Sequence, residues 1–210
     1  MLTAIRNNGL ILAAFACLST GVVALTHQLT ESQIKKQENI QLLSVLNQVI
    51  PAKLHDNELS QSCILLNDPA LGTDNDMPAY VATLNGQPSA IAVEAIAPDG
   101  YNGAIKVIVG IKNDGTITGT RVLAHNETPG LGDKIDLRIS DWILSFKGKS
   151  VTTDSEAQWK VRKDGGQFDQ FTGATITPRA VVKAVKKAVA YVNNHRETLA
   201  KQTYNCGDKQ

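Results

Sequence analysis

A stretch without charged side chains near the amino terminus constrains this chain more than any other feature. No Asp, Glu, Lys or Arg occurs from Asn7 to Thr30, and Gly9–Thr26 is a mainly apolar run of 18 residues. A helix of about 20 apolar residues spans the hydrocarbon core of a bilayer. We therefore predict a transmembrane helix over residues 9–27, with residues 1–8 as a cytoplasmic N-terminus.

A cleaved signal peptide is the alternative for this segment. Its apolar core would measure about 7 to 15 residues and would end at small residues spaced for cleavage. The run here is longer, and Val22–Thr26 offers no such site, so an uncleaved anchor is favoured. Arg6 precedes the run while Lys35 and Lys36 follow it, which leaves the positive-inside signal weak. The tiny head and large tail favour a periplasmic location for the large domain.

Composition excludes several function classes for the rest of the chain. Twenty-one basic and twenty acidic residues nearly cancel, so no basic footprint for nucleic acid exists. The chain has three cysteines but no CxxC motif and no cluster of histidines and cysteines in the sequence, which argues against a metal site. If the domain is exported, Cys63 and Cys206 can form a disulfide. The alternative is that they are two unrelated thiols, and both readings stay open because connectivity is not readable from sequence.

The pattern after the anchor predicts an α+β domain. We expect a helical connector over 28–50, ended by Pro51, and then one domain over 51–210. Alternating residues in Ala104–Lys112, followed by Asn113-Asp114-Gly115, predict a β-hairpin. Further strands are expected at Ala79–Leu84, Ala90–Ala97 and Thr116–Ala124, which gives a mainly antiparallel sheet with flanking helices.

Two helices are predicted beyond the strands. Leu137–Phe146 has the pattern of a short amphipathic helix. The last element is a long helix whose apolar residues recur on one face. That face comprises Val181, Ala184, Val185, Ala188, Val189 and Val192.

The segment from Asp169 to Pro178 carries the strongest chemical signal. It predicts a tight loop that leads into the long helix, with Thr177 as the cap and Pro178 at the first helical position. Thr175 would then lie beside the free N–H groups of a helix N-terminus, which favour an anion such as a phosphate. The alternative is that Thr172, Thr175 and Thr177 are only turn and cap residues.

A second motif, Glu127-Thr128-Pro129-Gly130-Leu131-Gly132, follows His125 and Asn126. Proline and two glycines predict a rigid turn with exposed backbone donors. Such a loop is suited to approach a ligand, although an ordinary surface loop has the same composition.

Together, and in this order, the two motifs resemble the FMN-binding domain family in which flavin is bound by a phosphoester to threonine. The resemblance implies that Thr175 is the acceptor, with Thr172, Gly173, Ala174 and Thr177 around it. It places Glu127, Thr128, Gly130 and Leu131 near the flavin. It also implies a separate flavin transferase that recognises Asp169.

The stretch from Gly165 to Val182 is similar to G subunits of the Rnf (Rsx) electron transport complexes, which are related to the C subunit of the Na⁺-pumping NADH:quinone reductase. This resemblance implies an electron-relay subunit in a bacterial inner membrane, with other complex subunits as partners. Such complexes couple electron transfer between ferredoxin and NAD to ion movement. No catalytic acid–base pair is expected. The alternatives are a stand-alone periplasmic flavoprotein and a non-flavin assembly subunit.

Overall fold

The computed structural model describes residues 2–206, except for the side chains of residues 2–4 and 35. Two short ends lie outside the described residues: Met1, which begins the segment expected at 1–8, and residues 207–210, which end the domain expected at 51–210. The chain divides into two compact units, one ending at Leu42 and one beginning at Leu43.

A single long helix, α1 (Leu2–Val49), runs through the first unit and into the second. Its apolar side chains in the first unit are exposed, among them Leu10, Ile11 and Phe15. Among the described residues, this is the one helix long and apolar enough to cross a membrane, judged by length and composition.

The second unit is built on a five-stranded antiparallel sheet in which neighbouring strands follow each other along the chain. The order is β1-β2-β3-β4-β5, and every pair is antiparallel. The strands are β1 (Cys63–Leu66), β2 (Met77–Leu84), β3 (Gln87–Ala97), β4 (Ile105–Lys112) and β5 (Ile117–Ala124). The predicted α+β class with a mainly antiparallel sheet is confirmed. The short strand β1 was not predicted.

Two tight turns set the register of the sheet. The predicted turn at Asn113-Asp114-Gly115 joins β4 to β5, and Gly115 has a φ of +82°. Between β2 and β3, Asn85 and Gly86 both have positive φ, at +54° and +73°. Two consecutive residues of this kind match the twist of the flanking strands, which explains the tight hairpin there.

Helix α2 (Ile176–Ala200) covers one face of this sheet. Its predicted apolar stripe is confirmed, since Val181, Val185, Val189 and Val192 are fully buried in the main core. The same core contains Ile91 and Val93 of β3 and Val107 and Val109 of β4. The N-terminus of α2 is thereby fixed at one end of the sheet, where the candidate site lies.

The last turns of α1 lie against strands β4 and β5. Leu46, Val49 and Ile50 are fully buried. The Thr118 hydroxyl donates to the Val49 carbonyl, and a Cβ on Gly110 would lie 2.3 Å from that same oxygen. The close approach therefore depends on glycine in β4.

An irregular connection between β5 and α2 packs around aromatic rings. The Phe146 ring stacks on Phe168 with centroids 4.5 Å apart, and Trp142 meets Phe171 edge to face at 5.2 Å. The predicted α-helix over Leu137–Phe146 is wrong in extent and type: only Asp141–Phe146 is helical, as a 3₁₀ helix capped by Ser140. Ser140 satisfies the Trp142 N–H and starts the helix late in the segment.

A disulfide joins Cys63 in β1 to Cys206 after α2, with the Cα atoms 5.5 Å apart. The tail before Cys206 also pairs with β1, because the Asn205 N–H donates to the Cys63 carbonyl at 3.1 Å. The Leu65 N–H donates to the Asn205 side chain at 2.7 Å. The tail thus covers the edge of the sheet that β1 would otherwise leave open.

Candidate functional site

A cavity of about 270 Å³ lies at the N-terminus of α2 and joins the two sequence motifs. Three chain segments form its walls: the turn after β3, the loop after β5 and the loop that enters α2. The lining residues are Tyr101, Glu127, Thr128, Leu131, Gly132, Gly173, Ala174, Thr175, Ile176 and Thr177. The structure therefore brings together two motifs that are separated by tens of residues in sequence.

The loop that enters α2 presents Thr175 at the helix end. The Ala174 N–H donates to the Phe171 carbonyl at 3.3 Å, and Gly173 has a φ of +82°, so the chain reverses sharply. Thr175 is the N-cap residue of α2, and its hydroxyl makes no capping hydrogen bond. The residue is exposed beside the unpaired N–H groups of the first helical turn. An anion linked to this oxygen would lie in a favourable field.

Thr177 does not cap the helix, contrary to the sequence prediction. It is the second residue of α2, it is fully buried, and Pro178 is third rather than first. Its hydroxyl donates to Oε2 of Glu127. The prediction failed because a carboxylate from a distant loop supplies a buried hydrogen-bond partner.

Glu127 ties together all three walls of the cavity. Its side chain is buried, with the residue only 4% exposed. Oε1 accepts the Asn102 N–H at 3.1 Å, in the turn that carries Tyr101, and Oε2 accepts from Thr177. Because a buried carboxylate needs such donors, these contacts fix the walls relative to one another.

The loop after β5 is closed by its own backbone. The Leu131 and Gly132 N–H groups both donate to the Thr128 carbonyl, at 3.1 and 3.2 Å. A Cβ on Gly132 would lie 2.6 Å from Glu127 Oε2 and 2.8 Å from the Thr177 hydroxyl. Glycine is therefore required at 132 for the buried hydrogen bond to form.

Behind this loop, His125 and Asp136 form a supporting pair. The Glu127 N–H donates to Nδ1 of His125 at 3.1 Å, and Nε2 faces Asp136 Oδ2 at 3.8 Å. The Arg138 side chain and backbone also donate to Asp136. The hydrogen bonds from Arg138 are the main reason that the pKa of Asp136 is lowered, with His125 adding a smaller attraction.

Most of the sequence-predicted residues line the cavity, and three lie outside its lining. Gly130, Thr172 and Asp169 are exposed on the surrounding loops. The Asp169 carboxylate pairs with Arg162, with Oδ1 and Nη1 2.9 Å apart. Within the described residues, no group of three His, Cys, Asp or Glu side chains could hold a metal ion.

Sequence reasoning missed three lining residues: Tyr101, Ile176 and Gly132. Tyr101 is 68% exposed in the turn Gly100-Tyr101-Asn102-Gly103. The two glycines signalled a turn, but nothing local connected that turn to motifs further along the chain. Gly132 lies within the second motif, and the packing that requires glycine there involves Thr177, which is distant in sequence.

Two family descriptions match this chain. Residues 100–190 match the FMN-binding domain, and residues 1–49 match the RnfG N-terminal region. The first range contains all three walls of the cavity and the whole loop that presents Thr175.

The chain is also similar over its full length to curated relatives. It is 72% identical over 207 residues to the G subunit of the ion-translocating oxidoreductase complex of Vibrio atlanticus (strain LGP32), covering 99% of each chain. It is 57% identical over 210 residues to the protein of that name from Aliivibrio fischeri (strain MJ11), covering 100% of each. Among solved structures, Shewanella oneidensis NqrC matches with a TM-score of 0.49 and 23% identity, covering 72% of this chain and 74% of that one.

Proposed function

This chain belongs to the family formed by the G subunits of ion-translocating oxidoreductase complexes, and from that premise we propose that Thr175 carries FMN bound through its phosphate. The chain has an FMN-binding domain and acts as an electron relay in a complex whose electron transfer is coupled to ion translocation. Its partners are the other subunits of that complex.

One observation carries the assignment of Thr175: the residue lines the cavity that joins both motifs, at the N-terminus of a 25-residue helix. A phosphate there would meet the unpaired N–H groups and the positive end of the helix dipole. Thr172 is exposed on the same loop but does not line the cavity, and Thr177 is committed to Glu127. Thr175 is therefore the threonine best placed to act as acceptor.

The lining residues suit a flavin. Leu131 and Ile176 are 41% and 46% exposed, and with Tyr101 they offer apolar surface at the cavity for a planar ring. Glycine at position 173 leaves space beside Leu131, because a Cβ there would lie 3.2 Å from the Leu131 side chain. When bound, FMN supplies the ability to accept and release electrons one or two at a time.

The chain's own residues then have three tasks. Thr175 holds the phosphate, and the backbone of Gly173 and Ala174 shapes the approach to it. The apolar side chains at the cavity would keep water away from the bound flavin. Glu127 acts on the walls rather than as an acid or base, because Asn102 and Thr177 already donate to its carboxylate oxygens.

We propose that a separate flavin transferase attaches the FMN from FAD. The Thr175 oxygen forms a bond to the phosphorus of the FMN half, and the bond from that phosphorus to the bridging oxygen breaks. AMP leaves, and the hydroxyl proton passes to a base of the transferase, since threonine alone is a poor nucleophile. Asp169, exposed six residues earlier, belongs to the surface that the transferase recognises.

The orientation that we propose places α1 residues 9–27 in the bacterial inner membrane and the second unit in the periplasm. The charge-free run supports the membrane segment. The Cys63–Cys206 disulfide supports the periplasm, because disulfides persist in oxidising compartments and are rare in the cytosol. Residues 28–50 would then connect the membrane to the domain at 51–210.

In-gel flavin fluorescence tests the proposal. The full chain is exported in a host that contains the transferase, denatured on a gel and illuminated, with Thr175→Ala and Thr175→Ser alongside. We expect fluorescent wild-type and Ser bands and a dark Ala band, because serine keeps the hydroxyl. Thr172→Ala is the matched control and should stay fluorescent. A dark wild-type band beside a fluorescent known flavoprotein would favour the assembly-subunit alternative.

A further inference from the structure

Arg179 connects the acceptor residue to a loop that has no role in the cavity. It lies one turn after Thr175 on α2, and its Nη1 donates to the Thr175 carbonyl at 3.0 Å. Its Nε and Nη2 donate to the two carboxylate oxygens of Asp164, at 2.6 and 2.9 Å. A paired contact of this kind fixes the guanidinium plane as well as its position.

The loop that supplies Asp164 is itself tightly held. We call residues 160–166 the Gly-Gly brace. The Gly165 N–H donates to the Arg162 carbonyl at 3.0 Å, and Gly165 has a φ of +82°. A Cβ on Gly166 would lie 1.9 Å from the Lys160 carbonyl oxygen, so glycine is required there. Asp164 therefore projects from a rigid turn.

The brace also contacts the beginning of the loop from Asp169 to Thr175, which we call the acceptor loop. The Arg162 N–H donates to the Phe168 carbonyl at 2.8 Å, and the Arg162 side chain pairs with Asp169. The Trp142 indole N–H donates to the Asp169 carbonyl at 2.8 Å. The exposed Arg162–Asp169 pair contributes little by itself. Its significance is that the loop from Asp169 to Thr175 is anchored to the same brace at both ends.

We propose that the Gly-Gly brace, acting through the Asp164–Arg179 pair, holds the acceptor loop in the conformation that the flavin transferase modifies. This inference rests on the proposed function of Thr175. Arg179 is a positioning residue, because its guanidinium donates to the Thr175 carbonyl rather than to the hydroxyl that would react. The partner it serves is an enzyme that takes this loop as its protein substrate.

A role for Arg179 in positioning the loop has a specific kinetic consequence for the transferase. If the loop populates the competent conformation only part of the time, the apparent affinity of the transferase falls by that fraction. The KM for the chain therefore rises while kcat stays nearly constant. We expect Arg179→Gln and Asp164→Asn to raise KM by about 5- to 10-fold, the scale of one typical net hydrogen bond, because the pair is partly exposed to solvent. Arg179→Lys should resemble Arg179→Gln, since lysine cannot make the fork and reach the carbonyl together.

Lys183→Gln is the matched control. It removes another exposed ion pair from the same helix, that between Lys183 and Asp99, one turn further from the acceptor. Purified full-length chains in detergent are incubated with FAD and transferase, and the initial rate of fluorescent labelling is measured across chain concentrations. Amide hydrogen exchange of residues 172–176 is measured in parallel on the unlabelled chains.

We expect a raised KM and faster exchange confined to this loop in the Arg179 and Asp164 variants, with Lys183→Gln unchanged. Equal kinetics and equal exchange in all chains would overturn it. Normal labelling by Arg179→Lys would show that charge alone matters and would also overturn it. A wild-type chain that never labels would contradict the acceptor assignment, and the exchange measurement alone would still decide whether the brace orders the loop.

Discussion

The Thr177 hydroxyl donates a hydrogen bond to Oε2 of Glu127, a residue 50 positions earlier in the chain. Both side chains are buried, at 0% and 4% exposure. Through this contact the loop after β5 and the first turn of α2 form one structure. Asn102 joins the turn after β3 to it by donating its N–H to Glu127 Oε1.

Glu127→Ala should destabilise the domain because it leaves the buried Thr177 hydroxyl without a partner and removes the acceptor of the Asn102 N–H, which lies in an exposed turn. Leaving a buried donor such as the Thr177 hydroxyl unpaired costs about 2–3 kcal/mol. For a domain of this size we expect the melting temperature to fall by about 4–12 °C. Circular dichroism of the detergent-solubilised full chain measures the change. Glu197→Gln, on the exposed face of α2, serves as control, and equal melting temperatures would contradict the buried role of Glu127.

Acid should loosen the same loop through Asp136. Arg138 holds the pKa of Asp136 below its ordinary value, so the contribution of Asp136 to stability is complete above the unfolded-state pKa of about 3.9. That contribution is lost as pH falls below about 4 and Asp136 takes up a proton. Asp136→Asn should therefore be less stable at neutral pH and show a weaker decline in melting temperature between about pH 5 and pH 3. The exposed Asp141→Asn variant should follow wild type, and a wild-type acid profile in Asp136→Asn would contradict this account.

The long helix and the β4–β5 hairpin were predictable because their signals are local. The spacing of Val181, Val185 and Val189 defines one helical face, and Gly115 takes the positive φ that its turn requires. Strand β1 has only four residues, and it is stabilised by the tail near Cys206 at the far end of the chain. No window around Cys63 contains that information.

The candidate site was also predictable only where its signals are local. The sequence motif identified the loop around Thr175, and the cavity includes it. The role of Thr177 was wrong because its partner, Glu127, belongs to the other motif. Tyr101 was missed because its turn meets the cavity only through the folded sheet. Long-range hydrogen bonds, which sequence patterns do not report, decide these positions.

Reduction of the Cys63–Cys206 disulfide should lower stability. The bond closes a sequence separation of 143 residues, and crosslinks of this kind stabilise by about 2–5 kcal/mol, largely by constraining the unfolded chain. We expect Cys63→Ser, or addition of a reductant, to lower the melting temperature by about 5–15 °C. Cys17→Ser is the control, because Cys17 is a free thiol in α1. An unchanged melt after verified reduction would argue against any stabilising effect of the bond.

Gly110→Ala should disrupt the contact between β4 and the end of α1. The added Cβ would lie 2.3 Å from the Val49 carbonyl oxygen, which cannot move without shifting the helix backbone. Overpacking of this kind costs about 1–3 kcal/mol. Gly21→Ala is the control, since nothing lies within 4 Å of a Cβ built there. Thermal unfolding of both variants measures the difference, and equal stability would show that the contact is looser than the structure has it.

Peptide mass spectrometry tests the central claim, covalent FMN on Thr175, most directly. Trypsin cuts after Lys163 and Arg179, which releases one peptide, residues 164–179, with Thr172, Thr175 and Thr177 all inside it. We predict that this peptide from the exported chain is heavier by the mass of FMN minus one water. Fragmentation should assign the added mass to Thr175. An unmodified peptide, or the mass located on Thr172 or Thr177, would contradict the account.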